Sequence, residues 1–155
     1  PGEFVLLDIG ARLNGYPADI TRTYAHGDVS DRHKAVHLAV ETAHHKIIAL
    51  LKPGLNVKDY FHKVDKIMLV ALHDLGLLKV EEDYRKYFPH SISHGLGIDV
   101  HDSLGGPEAF QPGMVLTVEP GIYIPEEGIG VRIEDDILIT ENGHENLSAG
   151  LPTSL

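Results

Sequence analysis

The stretch 115–139, VLTVEPGIYIPEEGIGVRIEDDILI, constrains the fold more than any other part of the chain. Two apolar, β-branched segments flank Pro125-Glu126-Glu127-Gly128, a pattern that predicts a β-hairpin. A turn centred within those four residues places Glu119 of one arm directly opposite Glu134 of the other. Directly opposed residues share a face of the sheet, with Cβ atoms roughly 4.5–5.5 Å apart.

The surroundings of these two acids are apolar, because Val118, Ile122, Ile133 and Ile137 flank them. Two carboxylates this close repel strongly unless one of them is protonated or a cation lies between them. The hairpin therefore requires one of these two forms of neutralisation.

A second acidic hairpin is predicted near the start of the chain. It comprises an apolar strand, a two-residue turn and a returning strand, at residues 3–10, 14–15 and 17–24. The Asn14-Gly15 turn sets Asp8 opposite Thr21 and leaves Asp19 diagonal to Asp8, whereas a shift of two residues sets the two acids directly opposite each other. In either register Asp8 and Asp19 share a face.

Two amphipathic helices are predicted between the hairpins. Ser30 caps the first, whose apolar positions recur at helical spacing up to residue 51, and Lys52-Pro53-Gly54 ends it. The second begins near Asn56 and ends before Gly76. One apolar face on each helix indicates that both cover the same face of a sheet. Residues 79–86 are predicted to be a charged surface connection and residues 103–113 a loop.

Composition narrows the classes of function. The 155 residues are 43% hydrophobic, which is enough for one domain with a core. The net charge of −10, with no long basic run, argues against nucleic acid as a partner. With no cysteine in the chain, a metal must be held by oxygen and imidazole. No apolar run reaches the roughly 18 residues of a membrane span and no signal peptide is present, so a cytoplasmic location is expected.

The candidate chemical groups are four carboxylates in two same-face pairs and three imidazoles between them: Asp8, Asp19, Glu119, Glu134, His90, His94 and His101. One imidazole with several carboxylates suits a pair of divalent ions such as Mn²⁺, Co²⁺ or Zn²⁺, roughly 3.5–4 Å apart. Such a pair acidifies water and polarises a carbonyl oxygen. The residues therefore predict metal-assisted hydrolysis, most naturally of an amide.

Several motifs carry a resemblance to a known family: Leu7-Asp8-Ile9-Gly10, Asp19-Ile20-Thr21-Arg22-Thr23, the run SHGLGIDVHD at 93–102, PGMVLTVEPG at 112–121 and VRIEDD at 131–136. Together they resemble the pita-bread metallopeptidases, and within these the branch of Xaa-Pro aminopeptidase (aminopeptidase P) and prolidase. The implied fold is α+β, a curved antiparallel sheet that cradles the metals on its concave face and packs helices on its convex face.

The resemblance also implies a metal-ligand set. In that set Asp8 chelates one ion, His94 and Glu119 hold the other, and Asp19 and Glu134 bridge both. Mn²⁺ is the expected metal, with Co²⁺ or Zn²⁺ as the alternatives.

Further roles follow from the same resemblance. Glu119 is expected to act as general base and acid, and His101 to contact the scissile carbonyl and stabilise the oxyanion. His90 is expected to line the site for the proline side of the substrate. Tyr123 and Arg132 match positions near the pocket, where Arg132 would hold the carboxylates in place.

The expected function is a dinuclear aminopeptidase that acts on peptides with proline at the second position. Two alternatives stay open: an Xaa-Pro dipeptidase (prolidase) and a non-catalytic pita-bread binding protein. Because an earlier part of the family's domain has no counterpart, residues 1–155 are expected to be a partial catalytic domain, from a protein that is a homo-oligomer at full length.

The remaining polar residues receive simpler interpretations. Asp135 and Asp136 are expected to include one solvated residue and to need no role. Asp99 and Asp102 either orient His101 or end a loop. Four histidines of the first helix are interpreted as a polar helix face in preference to a second metal site: His33, His37, His44 and His45.

Overall fold

A computed structural model describes residues 2–80, 83–106 and 108–155. The fold is α+β, as predicted. The strands are β1 (Glu3–Ile9), β2 (Arg12–Leu13), β3 (Tyr16–Pro17), β4 (Ile20–His26), β5 (Val115–Val118), β6 (Gly121–Ile124), β7 (Ile129–Arg132), β8 (Asp135–Thr140) and β9 (Gly143–Asn146). The helices are α1 (Asp31–Ile48), α2 (Val57–Asp74) and the short α3 (Asp83–Tyr87), and a 3₁₀ turn spans Pro125–Glu127.

The first hairpin has the register that its turn predicts. Asp8 lies opposite Thr21 in the β1–β4 ladder, and β2 pairs with β3 in the same alignment. Asn14 and Gly15 adopt φ angles of 51° and 92°, the left-handed conformation that a two-residue hairpin turn requires.

The returning arm differs from the single strand predicted over residues 17–24, because it is interrupted at Ala18 and Asp19. Ala18 crosses so close to Gly10 that a Cβ on the glycine would lie 2.1 Å from the Ala18 carbonyl oxygen. The N–H of Asp19 turns away from β1 and donates to Asp136 Oδ2 at 3.2 Å. This N–H lies on the side of the arm away from β1, and a side chain of β8 supplies its acceptor.

The second hairpin also has the predicted register. β5 pairs antiparallel with β8, with Val118 opposite Asp135, and β6 pairs with β7, with Gly121 opposite Arg132. Between these two ladders the pairing opens, and the N–H of Glu134 donates to the carbonyl of Thr21 at 3.0 Å. An isolated antiparallel bridge between these two residues joins the two hairpins.

Alternation along the strands separates a core face from a polar face. On the core face, buried aliphatic side chains pack in one cluster with the buried residues of α1 and α2: Ile122, Ile124, Ile129, Val131, Ile133, Ile137 and Ile139. The side chains between them point to the opposite face because successive residues of a strand alternate. That opposite face carries Tyr123, Arg132 and Glu134.

The predicted helix starts are confirmed. The Ser30 hydroxyl accepts from the N–H of His33 at the start of α1, and the Asn56 side chain accepts from the N–H groups of Lys58 and Asp59 at the start of α2. α1 ends at Ile48, three residues before the predicted end at 51. The apolar residues beyond it continue the core from a turn.

Two segments correct the sequence prediction. The predicted surface connection 79–86 includes the start of α3, in which Tyr84 and Tyr87 are buried, because the aromatic residues among its charges pack on the core. A further strand, β9, pairs with β8 and had not been predicted. Residues 81 and 82 of the predicted connection and residue 107 of the predicted loop lie outside the described residues.

No helix in the described ranges is both long enough and apolar enough to cross a membrane.

Candidate metal centre

The two hairpins bring the predicted acidic residues together on the polar face of the sheet. Among the described residues, three overlapping groups each offer ligand atoms within 4.8 Å of one another. They are Asp8 with Asp19 and Glu134, His94 with Glu119 and Glu134, and Asp19 with His94 and His101. Glu134 belongs to the first two groups and thus lies between Asp8 on one side and Glu119 on the other.

Glu134 is the most buried of these acids, at 2% exposure. Its Oε2 accepts a 2.6 Å hydrogen bond from the Thr21 hydroxyl and lies 3.7 Å from Nε of Arg132. Burial raises the pKa of Glu134 to about 8, and repulsion by Glu119 and Asp19 adds to the increase. Without a cation this carboxyl therefore carries a proton near neutral pH.

Asp8 and Asp19 form the other side of the cluster. Asp8 is half-exposed and pairs through Oδ2 with Nη2 of Arg132. Burial raises the pKa of Asp19, and the neighbouring Asp8 raises it further. Both residues lie on the first hairpin, so Arg132 links that hairpin to β7.

His94 is oriented by its own main chain. Its Nδ1 lies 2.9 Å from the carbonyl oxygen of Gly95, which can only accept, so Nδ1 carries the proton. The other ring nitrogen, Nε2, faces the carboxylates, 3.5 Å from Asp19 Oδ2 and 3.5 Å from Glu119 Oε1. Because Nδ1 is engaged by the main chain, Nε2 is the ring nitrogen of His94 that is placed to bind a metal ion.

Thr117 holds His94 and Glu119 in place. Its hydroxyl accepts from the N–H of His94 at 3.1 Å and donates to Glu119 Oε1 at 3.2 Å. Burial raises the pKa of Glu119 to about 7, and this hydrogen bond opposes the increase. Glu119 can therefore exchange a proton near neutral pH.

A hydrogen-bond chain lines one side of the cluster. Arg132 Nη1 donates to the Tyr123 hydroxyl at 3.1 Å, and that hydroxyl lies 2.9 Å from His90 Nε2. His90 Nδ1 lies 2.7 Å from the carbonyl oxygen of Ser91, so Nδ1 carries the proton and Nε2 accepts from Tyr123. Burial lowers the pKa of His90, which keeps the ring neutral in this chain.

His101 lies at the exposed edge of the cluster, with its ring edge-on to His94 at 4.7 Å between centroids. Its loop folds back through an isolated bridge between Gly95 and Asp102, and Arg12 Nη1 donates to the carbonyl of Ile98 at 2.8 Å. Among the described residues no hydrogen bond joins His101 to Asp99 or Asp102. The Asp102 carboxylate instead accepts from the N–H of Ser103 at 2.7 Å and ends the loop.

Asp135 and Asp136 contradict the prediction that one of them is solvated, since both are at most 4% exposed. Asp135 pairs with Arg22 at 2.6 Å on the core side. Asp136 accepts the N–H of Asp19, and burial raises its pKa to about 6. The strand is covered on both faces, by helices on one and by the acid cluster on the other, so neither acid reaches solvent.

The interpretation of the α1 histidines as one polar helix face is wrong for two of them, His37 and His44, which are buried. His44 Nε2 lies 3.3 Å from Asp135 Oδ2, and burial lowers its pKa to about 4. His44 is therefore buried because it faces the Asp135 carboxylate of β8. His33 and His45 remain on the outer side of the helix.

Sequence reasoning missed the hydroxyl groups that hold the ligands. Thr117 is two residues before Glu119, a spacing that puts both side chains on one face of a strand and could have identified it. Thr21 had been aligned with Asp8, but its contact with Glu134 depends on the docking of two hairpins 113 residues apart in sequence. No local pattern in the sequence indicates that the two hairpins dock in this way.

The chemistry of the donor groups fits divalent cations. Four carboxylates converge with the imidazole of His94, and the imidazole of His101 lies at the exposed edge. Within the described part of the chain Arg132 is the cation that pairs with two of these acids, Asp8 and Glu134. Oxygen donors with one nitrogen suit Mn²⁺, Co²⁺ or Zn²⁺. These features define the class: an α+β protein with a carboxylate-rich site for divalent cations on the open face of its sheet.

Comparison with known proteins identifies the family. Residues 1–141 match metallopeptidase family M24. The chain is 41% identical over 170 residues to Xaa-Pro aminopeptidase of Escherichia coli (strain K12), which covers 97% of the chain and 38% of that relative. It is 38% identical over 165 residues to Intermediate cleaving peptidase 55, mitochondrial, of Arabidopsis thaliana, covering 99% of the chain and 34% of that relative.

Among solved structures, proline aminopeptidase P II from Yersinia pestis superposes with a TM-score of 0.89 at 41% identity, over 99% of this chain and 40% of that one. The chain therefore belongs to metallopeptidase family M24 and has the pita-bread fold. It spans 38% and 34% of the lengths of the two curated relatives.

Proposed function

We propose that residues 1–155 are part of the catalytic domain of a dinuclear metal-dependent aminopeptidase that removes an N-terminal residue preceding proline. The observation that carries the proposal is the position of Glu134, whose ligand atoms belong both to the Asp8–Asp19 group and to the His94–Glu119 group. A carboxylate shared in this way is what two neighbouring divalent ions require. The names of the relatives support the choice of peptide substrate.

In this proposal Asp8 would hold one ion, His94 and Glu119 would hold the other, and Asp19 and Glu134 would be shared by the two. Mn²⁺ suits the oxygen-rich set best, and Co²⁺ and Zn²⁺ are the alternatives. When bound, the ions supply Lewis acidity toward a peptide carbonyl and toward water. The raised pKa values of Glu119 and Glu134 support this assignment, because dications would neutralise carboxylates that burial otherwise protonates.

Glu119 is the proposed general base and acid. In the metal-free protein burial raises its pKa to about 7, so this carboxyl binds a proton more readily than an exposed glutamate does. Its Oε2 lies 3.6 Å from His90 Nδ1, at the edge of the cluster where a substrate amide would lie. His101, exposed beside His94, would contact the scissile carbonyl and stabilise the oxyanion.

The proposed binding surface for the proline side is formed by His90 and Tyr123, with Arg132 behind them. The hydrogen-bond chain through these residues fixes the ring of His90 in one neutral tautomer. A fixed, uncharged ring suits contact with the apolar pyrrolidine of proline. Arg132 has a second task, because it also neutralises part of the charge on Asp8.

The specificity is tested by assaying the full-length protein on an Xaa-Pro dipeptide and an Xaa-Pro-Xaa tripeptide. The aminopeptidase assignment predicts cleavage of the tripeptide. Cleavage of the dipeptide alone would instead identify a prolidase. Neither result bears on self-association of the full-length protein or on its cytoplasmic location, which stay predictions from the sequence.

Metal use is tested by metal analysis after dialysis, on the wild type and on Asp19→Ala. The expected result is two Mn²⁺ per wild-type chain and a loss of metal in the variant, because Asp19 bridges both positions in the proposal. Equal metal content in the two proteins would favour the non-catalytic binding protein.

A further inference from the structure

A buried ion pair lies directly behind the acid cluster. Nη2 of Arg22 is 2.6 Å from Oδ1 of Asp135, and the side chains of the two residues are 5% and 2% exposed. The second oxygen of Asp135 accepts from Nδ2 of Asn146 at 2.6 Å. The pair is therefore closed to water on both sides.

All five N–H groups of Arg22 are used. Nε donates to the carbonyl of Pro152 at 3.0 Å, and Nη2 donates to that of Leu151 at 3.0 Å in addition to Asp135. Nη1 donates to the carbonyl of Thr21 at 2.9 Å and to that of Glu134 at 2.7 Å. A planar guanidinium offers five donors in a fixed arrangement, and here each one has an acceptor.

The two acceptors of Nη1 are the residues of the isolated bridge that joins the hairpins. Thr21 is in β4, two residues after Asp19, and Glu134 is the acid shared by two of the candidate ligand groups. On the open face the side chains of these two residues are hydrogen-bonded to each other. On the opposite side Arg22 donates to both of their main-chain carbonyls, so hydrogen bonds stabilise the bridge on both faces.

We propose that Arg22, paired with Asp135, is a positioning residue that sets the spacing between the carboxylates of the two hairpins. This inference rests on the proposed dinuclear site. The carboxylates of Asp8 and Asp19 come from one hairpin and those of Glu119 and Glu134 from the other, so the separation of the hairpins fixes the distance between the ion positions. Arg22 touches no substrate and no ligand atom, and it acts through the main chain.

The side chain must be arginine for geometric reasons. Lysine keeps the charge but has three donors on one nitrogen, and it cannot serve carbonyls from three separate segments together with a carboxylate. A lysine here could not keep both bonds of Nη1, although the Thr21 carbonyl would still accept from the N–H of Glu134. Breaking a buried ion pair destabilises a fold, so the inference needs readouts that a loss of stability alone does not change.

The test uses Arg22→Lys, with Arg32→Lys as the matched control. Like Arg22, Arg32 pairs with a carboxylate and donates to a main-chain carbonyl. Its Nε and Nη2 bond Glu127 and its Nη1 bonds the carbonyl of Leu75, and none of these partners belongs to the acid cluster. Mn²⁺ affinity is measured by titration calorimetry, and the coupling of the two ions is measured by electron paramagnetic resonance. Neither readout depends on activity.

For Arg22→Lys the expected Mn²⁺ affinity is about 10- to 100-fold below wild type, the usual range for residues that support metal ligands. The spin-coupled signal of a Mn²⁺ pair is expected to give way to the six-line signal of isolated Mn²⁺. Arg32→Lys is expected to match the wild type in both measurements.

The outcomes separate the two proposals. A wild type that binds no Mn²⁺ overturns the proposed function and this inference with it. A wild type with a coupled pair, and a folded Arg22→Lys variant with the same affinity and signal, overturns only the inference. If Arg22→Lys does not fold, Asp135→Asn decides: loss of the coupled signal supports the inference, and wild-type affinity and signal overturn it.

Discussion

The hydroxyl of Thr21 donates a 2.6 Å hydrogen bond to Oε2 of Glu134, while the N–H of Glu134 donates to the carbonyl oxygen of Thr21 at 3.0 Å. These reciprocal bonds tie the first hairpin to the second at the most buried acid of the cluster. The hydroxyl supplies a neutral donor, which lowers the pKa of Glu134 against the larger effect of burial. Thr21 therefore favours the ionised carboxylate that a metal site requires.

Replacing Thr21 with the isosteric valine is expected to weaken Mn²⁺ binding by about 10- to 100-fold. The variant loses the donor to Glu134, and it also loses the acceptor of the 3.0 Å bond from Arg132 Nε. The measurement is calorimetric titration at neutral pH. Thr23→Val is the matched control, because the Thr23 hydroxyl bonds only the main chain of Arg132. An equal loss in both variants would contradict a specific role for Thr21.

The registers of both hairpins could be predicted because each depends on local turn chemistry. Asn14-Gly15 and Pro125-Glu126-Glu127-Gly128 fix which residues face one another, and both alignments are found in the structure. The location of the two acids of each hairpin on one face follows from those alignments. The meeting of the two hairpins could not be derived in this way, since it depends on a bridge between segments 113 residues apart.

The buried charges of β8 were not predictable for a different reason. Adjacent residues of a strand point to opposite faces, so an Asp-Asp pair normally includes one solvated member. Here Asp135 meets Arg22 and His44 beneath α1, and Asp136 meets the N–H of Asp19 beneath the acid cluster. All three partners come from distant segments, and the sequence around the two acids gives no indication of them.

The stability of the metal-free protein is expected to fall as pH rises from about 6.5 to about 8. Burial raises the pKa of Glu134 from 4.5 to about 8, so the folded protein keeps a proton that the unfolded chain releases. Each such proton lowers the free energy of unfolding by about 1.4 kcal/mol per pH unit across this window. His44 has the opposite sign, but its pKa falls from 6.5 to about 4, so its effect ends below the window.

Urea unfolding of the metal-free wild type and of Glu134→Gln measures this effect. The variant has no proton to lose at that position, so its free energy of unfolding is expected to depend less on pH. Added Mn²⁺ is expected to stabilise the wild type more at the upper end of the window, because the metal then displaces fewer protons. Parallel pH profiles for the two proteins would refute the assignment of the slope to Glu134.

Tyr60→Phe is expected to lower stability by about 1–2 kcal/mol, since it removes a buried hydrogen bond. The Tyr60 hydroxyl lies 2.8 Å from Oγ of Ser93, the residue before His94, and both residues are buried.

Tyr84→Phe is the control, because the Tyr84 hydroxyl donates to Asp65 at 2.6 Å in another part of the molecule. Urea unfolding should show a loss in both variants, whereas Mn²⁺ affinity should fall only in Tyr60→Phe. Unchanged Mn²⁺ affinity in Tyr60→Phe would mean that the segment before His94 is held without it.

Gly121→Ala is expected to impair substrate binding while leaving metal binding intact. A Cβ at Gly121 would lie 2.6 Å from the Tyr123 hydroxyl and 2.9 Å from His90 Nε2, so it would force apart the two partners of the hydrogen bond that fixes His90. In the proposed function these side chains contact the proline side of the substrate, and a displacement of this size lowers kcat/KM by about 10- to 100-fold, mainly through KM. The atoms that this Cβ would meet first belong to Tyr123 and His90 and not to a proposed metal ligand, so the Mn²⁺ content should equal that of the wild type. Gly143→Ala is the matched control, because a Cβ there meets nothing within 4 Å and both quantities should stay unchanged. A Gly121→Ala variant with wild-type kinetics on an Xaa-Pro-Xaa tripeptide would exclude His90 and Tyr123 from the binding surface.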